Sequence, residues 1–89
     1  MSHDFTHEAT TILQFASDGD FAAYRDVIRD RYSVHMVAVK RHKVDGQGRT
    51  QARVRHSRGL GAEVRGLAFG TWGAETLATY TENVQVDVL

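Results

Sequence analysis

The sequence predicts an α+β fold: a single small domain with an antiparallel sheet of about four strands and one main helix packed on one face. Three patterns predict it: an Asp-Gly pair between two alternating runs, an amphipathic helical pattern before it, and alternating valines at the end. The 89 residues leave room for one domain, which buries roughly 60–65% of the surface that the unfolded chain exposes. We expect residues 1–8 to form a flexible N-terminus and residues 9–89 to form the domain.

The first predicted element, residues 9–16, fits two secondary structures. Residues 10–15 are a β-branched and aromatic run of strand length, whereas a helical spacing relates Phe5, Ala9, Ile12, Leu13 and Ala16. We interpret the segment as a strand because a compact loop, residues 17–20, follows it. The helical alternative would make an αα-hairpin of the first third of the chain.

The main helix is predicted over residues 21–32. Its apolar side chains fall on one stripe, with charged residues on the opposite side. The stripe consists of Phe21, Tyr24, Ile28 and Tyr32. We expect Asp18 or Asp20 to cap the first turn.

A hairpin that turns at Asp45-Gly46 is the clearest local prediction, because a type I′ turn needs positive φ at both central positions and this pair tolerates it. A two-residue loop would set Val39 against Ala52 and His35 against His56, with an apolar set on one face. The other face would be basic, with Met36, Ala38, Lys40, His42, Arg49, Gln51, Arg53 and Arg55. A four-residue loop would keep these faces, whereas a three- or five-residue loop would exchange them.

Positive charge is concentrated in this hairpin. The formal net charge is −3 over residues 1–39, +6 over residues 40–65 and −3 over residues 66–89. Residues 40–51 have few apolar side chains to bury, so we expect them to project beyond the core as an arm. The alternative is that these charges are solvated and keep the sheet edge from pairing with other chains.

The last third of the chain is rich in glycine. Five glycines between positions 59 and 73 predict turns and bends around a short strand near residues 63–69, rather than a long helix. Residues 74–80 are a candidate short helix. The chain then ends in an alternating, half-buried strand formed by Tyr80, Val84, Val86, Val88 and the residues between them. The resulting β-α-β-β-(α)-β order is roughly ferredoxin-like.

Composition and motifs exclude several classes of function. There is no cysteine for a disulfide or a thiolate. We expect a cytoplasmic location, because the first residues lack a signal-peptide pattern and no stretch is apolar enough to span a bilayer. Val64 stands where a dinucleotide-binding fingerprint would need its third glycine, and no P-loop pattern is present. So small a domain seldom forms an enclosed pocket, so we expect neither an enzyme nor a cofactor.

His35 and His56 are the candidate metal ligands, since the two-residue-loop register would place them face to face. A metal site needs a third and a fourth ligand, and the other histidines are remote in sequence. We therefore expect two imidazoles at the rim of the core and no metal.

The basic middle of the chain predicts its class of function. We expect a small non-enzymatic binding protein, a regulator or inhibitor, that docks the hairpin into an acidic surface of a larger protein or nucleoprotein complex that handles nucleic acid. The first alternative is direct binding of DNA or RNA, although no aromatic residue lies among the cations to stack on bases. The second is an assembly subunit, a homodimer or larger, that uses exposed sheet edges and Trp72 as an anchor. The predicted partner-binding residues are Lys40, Arg41, His42, Lys43, Arg49, Arg53, Arg55 and Arg58.

Overall fold

Four strands and two helices make up the described part of the chain in the computed structural model, which describes residues 7–32 and 36–85. In chain order they are β1 (His7–Phe15), α1 (Asp18–Tyr32), β2 (Met36–Val44), β3 (Thr50–Ser57), α2 (Gly61–Trp72) and β4 (Glu75–Gln85), with a 3-10 turn, Arg58–Leu60, before α2. The predicted α+β class, the antiparallel sheet and the main helix are confirmed.

The four strands form one antiparallel sheet in the order β2-β3-β1-β4. β1 and β3 pair along their length, from Glu8 opposite Ser57 to Phe15 opposite Thr50, and β2 and β4 lie at the two edges. This is the split arrangement of a ferredoxin-like chain, in which two strands joined by a helix are separated by a third strand. Hydrogen bonds to neighbours on both sides explain why β1 is a strand and not the alternative helix.

Both helices pack against one face of the sheet and enclose the core. Alternate residues of β1 and β3 point into it, because successive side chains of a strand lie on opposite faces. The largest fully buried side chains include Leu13, Phe15, Phe21, Tyr24, Ile28, Val54, Leu60 and Val64. Fully burying an apolar side chain of this size stabilises a fold by about 1.5–3 kcal/mol.

An aromatic cluster joins the two helices to β1. The ring centroid of Phe15 lies 5.1 Å from that of Tyr24 and 6.3 Å from that of Phe21. Trp72 packs edge-on, 5.8 Å from Tyr24. The Tyr24 hydroxyl donates a hydrogen bond to the Val64 carbonyl at 3.1 Å, and burial raises the pKa of this phenol. Tyr24 therefore stays protonated and ties α1 to α2.

The main helix begins at Asp18, earlier than predicted, because Ser17 caps it. The backbone N–H of Asp20 donates to the Ser17 hydroxyl at 3.1 Å, and the N–H of Phe21 donates to the Ser17 carbonyl. The prediction that Asp18 or Asp20 would be the cap is wrong. Both aspartates lie in the first turn, where their charge complements the helix dipole.

The second helix lies one segment earlier than predicted. Residues 63–69 belong to α2 and not to a short strand, and residues 75–80 belong to β4 and not to a helix. Leu60, Val64 and Ala68 recur every four residues and are all buried, so α2 has an apolar stripe against the core. Burial of this stripe outweighs the roughly 1 kcal/mol that each interior glycine costs relative to alanine.

A glycine also ends α2. Gly73 has a left-handed backbone, with φ of 66°. Its N–H donates to the Phe69 carbonyl at 2.9 Å, and the N–H of Ala74 donates to the Ala68 carbonyl at 3.1 Å. The bond from Gly73 to Phe69 is that of the αL motif, in which a left-handed residue ends the helix, and the chain then passes directly into β4.

β2 and β3 are joined by a five-residue loop, residues 45–49, and not by the predicted two-residue turn. Asp45 organises the loop, since its carboxylate accepts hydrogen bonds from the backbone N–H groups of Gln47 and Arg49 at 2.9 and 3.0 Å. Gly48, with φ of 80°, supplies the positive φ that the loop needs.

The register between β2 and β3 differs from the prediction by two residues. For residues 39–41 of β2 and their partners on β3, each side chain nevertheless lies on the predicted face. Val39 lies opposite Val54 rather than Ala52. A five-residue loop alone would exchange the faces. A β-bulge at His42 adds one residue to β2 and restores them.

The hairpin is not a projecting arm, so that prediction is wrong. β3 pairs with β1 along its whole length, and Thr50, its first residue, is fully buried. Residues 45–49 extend beyond the end of β1. The cations of the hairpin therefore lie mainly on the sheet itself.

Candidate functional site

Four cations lie on the face of the sheet opposite the helices. Val39 and Val54 lie opposite each other and are buried in the core, so the next pair along the strands, Lys40 and Arg53, is on the other face. Alternation along β3 adds Arg55, and the bulge at His42 places Lys43, opposite Gln51, on the same face. We call the resulting surface the basic face: Lys40, Lys43, Arg53 and Arg55.

The basic face continues over β1 with polar and apolar side chains. Arg53 lies opposite Ile12, and Gln51 lies opposite Gln14, with 3.5 Å between their side-chain amide atoms. Ile12 is 9% exposed, although it lies on the face opposite the helices. The surface therefore offers amide groups next to its cations.

Two of these cations repel each other. Lys40 and Arg53 are directly opposed across β2 and β3, and both are exposed. Like charges at directly opposed positions destabilise a sheet. An anionic group bound between Lys40 and Arg53 would remove this repulsion, so the arrangement favours an anionic partner.

Two of the predicted binding residues are engaged within the fold. Arg41 lies opposite Ala52 on the helix side. Its Nε and Nη2 donate to the two carboxylate oxygens of Asp18 at 2.7 and 2.8 Å, and this contact lowers the pKa of Asp18. Arg49 closes the hairpin loop, donating from Nε to the Asp45 carboxylate at 2.7 Å. Both arginines therefore stabilise the fold locally.

The remaining two predicted residues lie outside the paired positions that define the basic face. His42 is the extra residue of the β2 bulge and is exposed. Arg58 is exposed at the start of the 3-10 turn that follows β3. Of the eight predicted partner-binding residues, the structure thus brings four together on one face.

An exposed tyrosine on β4 joins this surface, and sequence reasoning missed it. Tyr80 lies opposite Thr10 on β1, and Thr10 lies opposite Arg55 on β3, so all three share the face opposite the helices. The Tyr80 side chain is 58% exposed. The sequence alternates only from Tyr80 onward, where Tyr80 falls in step with the valines of the half-buried strand, so the pattern gives no signal that Tyr80 is exposed.

His56 is fully buried, with both ring nitrogens hydrogen-bonded. Nδ1 lies 2.8 Å from the Ser57 carbonyl and Nε2 lies 2.8 Å from Thr11 Oγ1. A carbonyl only accepts, so Nδ1 carries the proton and the Thr11 hydroxyl donates to Nε2. Burial lowers the pKa of His56. The pairing with His35 predicted above lies outside the described residues.

Within residues 7–32 and 36–85, no cluster of three or more histidine, cysteine, aspartate or glutamate side chains is placed to hold a metal ion.

A groove of about 530 Å³ runs between α2 and the start of β4. Arg65 and Phe69 line it from the helix, and Glu75 lines it from the strand. Trp72, the predicted interface anchor, is partly buried against the core, whereas Phe69 is 71% exposed. The most exposed aromatic side chain of this segment is therefore Phe69.

Neither described helix is long and apolar enough to cross a membrane. Comparisons of the chain with protein-family models, with curated proteins and with solved structures find no significant match.

Proposed function

We propose that this chain is a small non-enzymatic binding protein, a regulator or inhibitor, which docks its basic face against an acidic surface of a larger protein. The observation that carries this proposal is the segregation of cations. Four of them lie together opposite the helices, and the directly opposed pair Lys40 and Arg53 is exposed. The partner is a larger protein with an acidic groove, such as a protein that itself handles nucleic acid. We further propose a cytoplasmic location, which the absence of cysteine fits.

The sheet suits docking because it holds its cations in a fixed arrangement. β3 is bonded to strands on both sides, so the backbone that carries Arg53 and Arg55 is already ordered before binding. Binding then costs mainly the ordering of side chains. Charge complementarity of this kind speeds association and selects the partner.

A second candidate function, direct binding of single-stranded nucleic acid, is favoured by Tyr80. Four-stranded sheets that bind RNA stack bases on aromatic side chains of their open face, and each stacked base contributes about 1–3 kcal/mol. Tyr80 shares the face of Arg55. We rank docking to a protein above binding of nucleic acid, because Tyr80 is the single exposed aromatic side chain on this face among the described residues.

Removing two arginines of the basic face tests the proposal. We expect Arg53→Ala with Arg55→Ala to abolish capture of the partner from nuclease-treated host lysate, because the cations that meet the acidic surface are lost. The thermal midpoint should change little, since alanine at both positions keeps the backbone pairing of β3 with β1 and β2. The control variant, Arg25→Ala with Arg31→Ala, removes the same charge from α1 and should retain capture.

Three outcomes distinguish the alternatives. Equal capture by the two double variants would contradict docking through the basic face, and loss of folding would assign Arg53 and Arg55 a structural role. Capture that nuclease treatment abolishes would point to nucleic acid. In that case the affinity for a single-stranded oligonucleotide should fall steeply with salt, and less steeply for the face variant.

A further inference from the structure

The two edges of the sheet differ in how they are protected. The β2 edge carries Lys40, Arg41 and Lys43, all exposed. Arg29 of α1 also donates from Nη2 to the Val39 carbonyl at 3.3 Å, which covers one backbone acceptor of the strand. Charged side chains and covered backbone groups keep an edge from pairing with another chain. β2 is thus a guarded edge.

β4, at the other edge, lacks this protection along residues 75–80. Glu75 is its one charged residue there, and Leu77 and Tyr80 are exposed. Ala78 lies opposite Ile12 and Thr76 lies opposite Leu13, so Leu77 between them has no opposed residue on β1. Leu77 is 45% exposed. β4 is also the longest of the four strands, with 11 residues. A long edge with little charge is a template for pairing with another strand.

Exposed apolar side chains concentrate beside this edge. Four large apolar side chains are exposed in the described chain, and three of them, Phe69, Leu77 and Tyr80, lie on α2 or β4. The groove of about 530 Å³ lies between these two elements. Its apolar lining includes Ala62, Phe69 and Ala74. Phe69 lines the groove and Leu77 follows its lining residues on β4, and apolar exposure of this kind marks an interaction surface.

The charges that line the groove indicate the occupant. Arg65 lines it from α2 and Glu75 lines it from β4. A two-fold interface places the same patch on both partners, so Arg65 of one copy can meet Glu75 of the other, twice in one interface. The basic face has four cations, and one copy would repel another there. Self-complementary charge therefore favours a second copy of this chain at the β4 edge.

We propose that the chain forms a homodimer in which the β4 strands of two copies pair antiparallel across a two-fold axis. The two sheets then form one continuous sheet of eight strands, and Phe69 and Leu77 are buried between the copies. Because the axis is perpendicular to the sheet, both basic faces lie on the same side of the dimer. The dimer thus presents two equivalent anion-binding surfaces to one extended partner, which raises the overall affinity by multivalency.

Sedimentation equilibrium of the full chain over a concentration series tests the dimer. The wild type should associate to a dimer, and Leu77→Lys, which guards the edge with a charge, should raise the dissociation constant by at least about tenfold. Val44→Lys is the matched control, since Val44 is 52% exposed on the guarded strand β2 and Leu77 is 45% exposed on β4. It should leave the dissociation constant unchanged. Circular dichroism checks that each variant is folded.

A charge exchange provides a second, independent variant. Arg65→Glu alone should weaken the dimer, and Arg65→Glu with Glu75→Arg should restore it, because the exchanged pair is again complementary. A wild type that stays monomeric at every concentration would overturn the proposal, as would equal weakening by Leu77→Lys and Val44→Lys. Arg53→Ala with Arg55→Ala should leave the dimer intact, so failure of the docking function and failure of the dimer are distinguishable.

Discussion

Adjacent cations of β2 have different roles because they lie on opposite sides of the strand. Lys40 is exposed on the basic face, whereas Arg41 bonds to Asp18 on the helix side. The sequence shows the cationic character of both residues. It does not show the pairing of Arg41, because Asp18 lies 23 positions away and no local pattern relates the two. Alternation therefore predicts Lys40, Arg53 and Arg55 on one face, whereas no pattern in the sequence predicts the pairing of Arg41.

The buried His56 predicts a specific dependence of stability on pH. Burial lowers its pKa below the ordinary value of 6.5, so the unfolded chain takes up a proton at this residue at a higher pH than the folded chain does. The free energy of unfolding should therefore fall as the pH drops below about 6.5, until the pKa of the folded state is passed. Urea unfolding between about pH 8 and pH 5 measures this slope.

Substitution of His56 isolates its contribution. His56→Gln should flatten the slope below pH 6.5 and reduce the free energy of unfolding at higher pH by about 1–3 kcal/mol, because buried hydrogen bonds to Thr11 and Ser57 are disturbed. His42→Gln, at an exposed position, is the control and should keep the slope of the wild type. An unchanged slope in His56→Gln would show that other groups carry the pH dependence.

The elements that the sequence predicts well are those with a single strong pattern. β1, α1 and the hairpin strands follow from β-branched runs, an apolar stripe and alternation. α2 was missed because two signals compete in it: the glycines at 66 and 70 argue against a helix, while the spacing of Leu60, Val64 and Ala68 argues for one. The core decides between them, since it buries that stripe. The register of the hairpin was not predicted, because the five-residue loop and the bulge have opposite effects on which side chains share a face. The alternation of side chains reveals neither the loop length nor the bulge.

The glycines of α2 differ in what alanine would do. Gly70 is exposed in the helix, and an added Cβ would meet no atom within 4 Å, so Gly70→Ala should raise the free energy of unfolding by about 0.5–1 kcal/mol. Gly73→Ala should lower it, because φ of 66° strains a residue with a side chain. Urea midpoints at one fixed protein concentration measure both effects. Stabilisation by both substitutions would contradict the left-handed end of α2.

The whole molecule has two candidate surfaces with different chemistry. The basic face lies on the sheet over β2 and β3, and the apolar groove lies between α2 and β4. The net charge of the chain is zero, so it does not show this separation, and Tyr80 lies far in sequence from the cations whose face it shares. The sequence predicted the basic surface from its charge distribution and from the alternation of side chains along the hairpin strands. It did not predict the groove, because that surface exists only once α2 and β4 have taken their places beside each other.

An amide chemical-shift titration of the full chain tests the claim that the face opposite the helices is the binding surface. The probes are poly-glutamate and, separately, a single-stranded oligonucleotide at low salt. We predict that amide signals of β2 and β3 around Lys40, Arg53 and Arg55 shift on titration, and that those of α1 and α2 stay in place. Shifts confined to the helices, or spread evenly over the molecule, would contradict the claim.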